Sequence, residues 1–68
     1  SEERFYVTDA IANDILSITS VHPVRETVIR LLLEQKHADF SLIDDLVAQK
    51  KLLAFSYEGK TFYRRNLA

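Results

Sequence analysis

The feature that most constrains this chain is the run from Ser41 to Arg65, where a helical spacing of apolar residues gives way almost at once to a hairpin pattern. Ser41 has N-cap chemistry, and Asp44, three residues on, sits where the helix dipole favours negative charge. Leu42, Ile43, Leu46 and Val47 recur at three- and four-residue intervals. This predicts a helix to about Lys51 and leaves Asp44, Asp45, Ala48, Gln49 and Lys51 on the opposite face. From Leu52 the composition turns to strand formers, residues 52–57 and 61–64, on either side of Glu58-Gly59, where glycine tolerates the positive φ of a tight turn. A two-residue turn sets Phe55 opposite Phe62, and a bulged three-residue turn sets it against Tyr63. In either register, Leu46, Leu53 and one face of the hairpin are expected to pack as a unit.

The rest of the chain supplies what that unit packs on. Arg4-Phe5-Tyr6-Val7 is aromatic without helical spacing and reads as an extended segment able to add an edge strand beside the hairpin. Thr8 then has N-cap chemistry, and Ile11, Ile15 and Ile18 line one face of a first helix through about Ser17. Thr19-Ser20-Val21-His22 reads as a connection, after which Pro23 suits a first helical position, where its missing amide costs nothing. The second helix is expected to run to about Lys36. Its apolar set, Val24, Val28, Ile29, Leu31, Leu32 and Leu33, is wider than one stripe, so it should pack on both other helices and on the sheet. Lys36 and His37 suit the carbonyl dipoles at its end, and Phe40 is expected to plug the core. All seven aromatics then fall outside the predicted helices, as suits a small sheet capping three helices.

With 68 residues, 47% of them hydrophobic, 28% charged and one Gly and one Pro, the chain is long enough for one small core and too apolar to be disordered. Residues 1–68 therefore read as a single α+β domain. The chain lacks an initiator Met and begins next to apparent structure, so it is expected to be cut from a longer protein. No apolar run approaches a membrane span, and the Ser-Glu-Glu-Arg start is unlike a signal peptide, which makes a cytoplasmic, intracellular location the expectation.

Little in the chain carries catalytic chemistry. His22 and His37 stand fifteen positions apart without acidic or cysteine neighbours at metal-site spacing, and there is no Cys, so neither a metal nor a catalytic thiol is expected. No Gly-x-Ser-x-Gly elbow presents any serine, and a single Gly excludes a phosphate-cradling glycine loop and a dinucleotide fingerprint. Adjacent Asp44 and Asp45 point about 100° apart on a helix and do not form a facing acid and base. No cofactor, small-molecule site or enzymatic activity is expected of this domain itself.

Charge is more informative. Residues 1–45 carry net −5 and residues 46–68 net +4, so Lys50, Lys51, Lys60, Arg64 and Arg65 concentrate at the end of the third helix and on the hairpin. These are phosphate-contact positions if the domain meets nucleic acid, with Gln49 as a base reader. Against that, Asp44 and Asp45 occupy the part of the third helix that would enter a groove and would repel a phosphate backbone. The exposed face formed by Asp44, Asp45, Ala48 and Gln49 therefore points first to a protein partner.

From Thr8 to Arg65, three helices followed by a hairpin, with Leu46-Val47, Leu52-Leu53 and Phe62-Tyr63 at apolar positions, resemble the winged-helix superfamily, a three-helix core with a C-terminal β-hairpin wing. The resemblance implies a helix-turn-helix-like interaction domain, and its acidic third helix departs from the DNA-binding members. Residues 15–26 (ILSITSVHPVRE) and 57–64 (YEGKTFYR) also look like an accessory domain at the C-terminal end of some radical-SAM iron–sulfur oxidoreductases. Without the three cysteines of such a cluster, this piece would be an appendage that holds a substrate or braces the enzyme. The expected function is thus a non-catalytic interaction module touching a protein surface or its own parent chain. The alternatives are weak, sequence-independent DNA or RNA binding through the basic wing and a radical-SAM accessory role. No membrane partner is expected.

Overall fold

The structure is a computed structural model that describes the backbone of residues 2–68 and the side chains from Thr8 onward. It contains helix α1 (Glu2–Val21), a short strand β1 (Val24–Arg25), helices α2 (Glu26–Gln35) and α3 (Ser41–Ala48), and strands β2 (Leu52–Tyr57) and β3 (Lys60–Arg65). The strands form one antiparallel sheet in the order β1-β3-β2. This is an α+β arrangement of three helices and a three-stranded sheet, compatible with a winged-helix-like domain.

The turn at Glu58-Gly59 has two residues, both with positive φ (50° and 75°), and pairs Tyr57 with Lys60 and Phe55 with Phe62. Both angles being positive matches the right-handed twist of the flanking strands. Of the two registers left open by the sequence, the unbulged one forms. The third strand comes from an unexpected place. Arg4–Val7 is part of α1 and adds no edge strand, and Thr8 lies inside that helix rather than capping it. Strand-forming side chains are a weak preference, and continuing the helix gives the carbonyls of this segment partners four residues on. Phe5 and Tyr6 are consequently helical, against the expectation that all aromatics lie outside helices.

At its other end α1 also runs past Ser17. The Thr19 hydroxyl donates to the Ile15 and Leu16 carbonyls (2.8 and 3.3 Å) and the Ser20 hydroxyl to Ser17 (2.7 Å), so residues that usually break helices are satisfied within this one. Pro23 does not open α2. Its fixed φ suits an extended backbone equally well, and Val24 gains burial by pairing with Tyr63 in the sheet, so α2 starts at Glu26. At α3 the expected cap is displaced by two residues. The Asp39 carboxylate accepts the Ser41 amide (3.1 Å), and the N-cap position, Phe40, has no side-chain cap of its own.

Both α2 and α3 end in the same device. Ala38 N–H donates to Leu33 and His37 N–H to Glu34, while Lys51 N–H donates to Leu46 and Lys50 N–H to Val47, with His37 and Lys50 in the left-handed region (φ 55° and 61°). This double bonding is the Schellman pattern, here without its usual glycine. α3 therefore stops at Ala48, short of Lys51.

The core is formed by Ile11, Ile15 and Leu16 of α1, Val24 of β1, Ile29 and Leu33 of α2, Ile43 and Leu46 of α3, and Leu52 and Tyr63 of the hairpin. α3 and the hairpin do pack together through Leu46, but the strand residue that meets the core is the fully buried Leu52. Leu53 is half-buried on the other face of the sheet, because successive strand residues point to opposite sides. Phe40 is half-buried against the rim of the core rather than within it. Of the broad apolar set on α2, Val28 and Leu31 remain 43% and 59% exposed.

Candidate interaction surfaces

The sequence-derived residues fall on separate surfaces. Asp44, Asp45 and Ala48 are exposed on α3, with exposed Gln49 as its C-cap. Lys50 and Lys51 follow in the bend, their carbonyls held by the Asn66 side-chain amide (2.8 Å) and backbone amide (3.0 Å), so the end of β3 is clasped to the end of α3. Arg64 pairs with Leu53 and Arg65 with Leu52, which places the two arginines on opposite faces of the sheet. Lys60, Arg64 and Arg65 therefore cannot all meet one flat partner, whereas Lys60 and Arg64 share a face.

That shared face is the outer side of the sheet. Cross-strand pairing places Arg25 beside Phe62, Phe62 beside Phe55, Leu53 beside Arg64 and Tyr57 beside Lys60 on the side away from the helices. The rings form a continuous group. Phe55 and Phe62 are stacked at 5.6 Å between centroids, and Tyr57 meets Phe62 edge-on at 6.3 Å. Every strand residue on this side is aromatic, aliphatic or cationic.

The inner side carries a polar cluster that was not visible in the sequence. The Tyr63 hydroxyl donates to Glu26 (3.2 Å), Arg30 pairs with the same carboxylate at 3.8 Å, and the Arg30 guanidinium lies 4.0 Å from the centre of the Phe40 ring, which meets Tyr63 edge-on. Burial raises the Tyr63 pKa above that of a free phenol, and the negative charge of Glu26, its hydrogen bond and Asp44 push it the same way. Only the Glu26–Arg30 spacing, one helical turn, was a signal, because the partner strand lies far along the chain. Asp39 shifts in the opposite direction, its carboxylate held below the usual range by the Ser41 hydroxyl and amide.

An apolar groove lies between α1 and α2. A groove of about 220 Å³ is lined by Ile11, Ile15, Ile18 and Leu32, with Asp14 and Lys36 among its polar residues. A second hollow of about 290 Å³ shares Ile11 and Lys36 with it and continues toward Asp39, Leu42 and Asp45. Ile18, on the groove wall, is partly exposed, Val28 and Leu31 are exposed on α2, and Val21 is 80% exposed at the end of α1. A third cleft, about 240 Å³, lies between Arg25–Thr27 and the hairpin turn at Gly59–Thr61.

Among the described residues no group of three His, Cys, Asp or Glu converges as metal ligands would, and no helix is long and apolar enough to cross a membrane.

No family model matches the chain, and no solved structure matches it. Over 64 residues it is 43% identical to the UPF0026 protein MJ1312 of Methanocaldococcus jannaschii, an alignment that takes in 94% of this chain and 20% of that protein. The chain thus corresponds, almost from end to end, to about a fifth of the length of a larger UPF0026 protein.

Proposed function

We propose that this chain is a winged-helix domain, non-catalytic in itself, that docks onto the larger protein to which it belongs through the α1–α2 groove. The observation that carries this reading is the apolar surface left on α2. Leu32 lines the groove, and Val28, one helical turn before it on the same side of α2, is 43% exposed. A relative five times as long provides a parent chain for such a surface to meet. The α3 face of Asp44, Asp45, Ala48 and Gln49 is polar, and its Asp45 lines the hollow that continues from the groove, so it serves as a rim contact.

The resemblance to a radical-SAM accessory domain is the second reading, and one observation favours it. The two stretches that carry it, residues 15–26 and 57–64, are distant in sequence but meet in the sheet through the Val24–Tyr63 and Arg25–Phe62 pairs. They thus form one structural unit suited to bracing an enzyme.

Because the chain has no cysteine, Ile18→Cys, on the groove wall, and Val28→Cys, beside it on α2, provide unique labels within it. Maleimide labelling located by peptide mass should be fast in the isolated 68-residue domain and at least tenfold slower in the full-length protein. Equal rates in both would refute docking through this surface, and protection of Ala48→Cys alone would move the contact to α3.

A further inference from the structure

We propose that the outer face of the sheet is a binding platform for single-stranded nucleic acid, with Phe55, Tyr57 and Phe62 stacking on bases and Arg25, Lys60 and Arg64 holding phosphates. This site is distinct from the α1–α2 docking groove and does not depend on it. Three observations converge on it. First, the aromatic group lies on the strand face turned away from the core, with Phe55 and Tyr57 exposed and Phe62 half-buried between them, while the core is completed on the inner side by Val24, Leu52 and Tyr63. Tyr57, at 61% exposure, adds little to stability from where it stands. Exposed rings in a row suit bases, because every base has a π-face and stacking tolerates any sequence.

Second, the cations are arranged around the rings. Arg25 flanks Phe62 on the β1 side, Arg64 lies two residues beyond Phe62 along β3, and Lys60 lies two residues before it, beside Tyr57. All three are exposed. Third, the strand positions of this face carry no acid. Glu26 is turned to the Tyr63 hydroxyl, and Asp44 acts on the same inner residue. Among the described residues no strand position on this face is acidic, and Glu58 stands in the turn between Tyr57 and Lys60. A chain of net charge −1 thus presents one face that is locally cationic and aromatic. A duplex hides its base faces in the stack and offers such a surface only phosphates, so these residues distinguish a single strand from a duplex. An apolar protein partner would use the rings and leave three cations unmatched.

The test is a titration of the 68-residue chain with a fluorescein-labelled 12-mer of oligo(U), and separately with a duplex of equal length, followed by anisotropy and by amide NMR. The single strand should bind at about 50 mM salt with shifts centred on residues 53–57 and 60–64, and more tightly than the duplex. Three phosphate contacts predict a log–log salt slope of about −2. Arg25→Ala with Lys60→Ala and Arg64→Ala should flatten that slope toward zero. Tyr57→Leu, an exposed change that preserves the fold, should weaken binding roughly tenfold by removing one stacking ring, while Val28→Ser, at the docking groove, should leave it unchanged. Absence of shifts at low salt, equal affinity for the duplex, indifference to Tyr57→Leu, or shifts centred on Asp44–Gln49 would each overturn the proposal.

Discussion

Tyr63 is the residue on which most of the domain converges: it sits in the central strand, faces the core, and carries its hydroxyl to Glu26. Its raised pKa has a definite consequence for stability. In the unfolded chain the phenol ionises near pH 10, whereas in the fold burial keeps it protonated to higher pH, so above about pH 10 the unfolded state releases a proton that the folded state retains. The contribution is fully present below the unfolded value and is lost as pH rises toward the folded one. Tyr63→Phe should therefore flatten the alkaline limb of a stability-against-pH curve measured by urea unfolding between pH 9 and 11. Asp39 works in the acid direction. Its lowered pKa means that its support for α3 is present above the ordinary carboxylate value, near 4, and fades as the pH falls below it. Asp39→Asn should accordingly be felt at neutral pH and vanish toward pH 2 in the same measurement.

Three residues other than glycine occupy the left-handed region, His37, Lys50 and Glu58. Such a conformation costs an ordinary side chain about 1 kcal/mol relative to glycine. Lys50→Gly and Glu58→Asn, the latter giving the Asn-Gly pair favoured in this turn, should each raise the melting temperature. Gly59→Ala should lower it although a Cβ there meets nothing within 4 Å, because the cost lies in φ and not in space.

Among the elements, those specified by local chemistry were legible. The hairpin, its turn and the core face of α3 follow from period, composition and one Glu-Gly pair, and β3 extends only one residue beyond the expected strand at each end. Elements decided by distant partners were not legible. β1 is two residues long and exists because Tyr63 and Phe62 lie beside it, while the Pro-Val sequence reads equally well as a helix start. The outer-face group shows the same division, since Phe55, Tyr57, Phe62 and Arg64 alternate visibly once the register is known, whereas Arg25 joins them only through β1. At the junction of α3 with the hairpin, Leu46→Ala and Leu52→Ala should each cost about 2–5 kcal/mol. Leu53→Ala, on the half-buried outer side, should cost clearly less. Equal losses for Leu52 and Leu53 in chemical denaturation would contradict the assigned faces.

For the whole molecule, the order β1-β3-β2 has a consequence in time. The middle strand of the sheet is the last of the six elements in the chain, so during synthesis neither neighbour can pair until residues 60–65 have left the ribosome. β2 then finds β3 across a two-residue turn, a matter of microseconds for a hairpin, while β1 must be brought back across most of the chain. Until that closure Val24 lacks the Tyr63 partner beside which it is buried in the finished sheet.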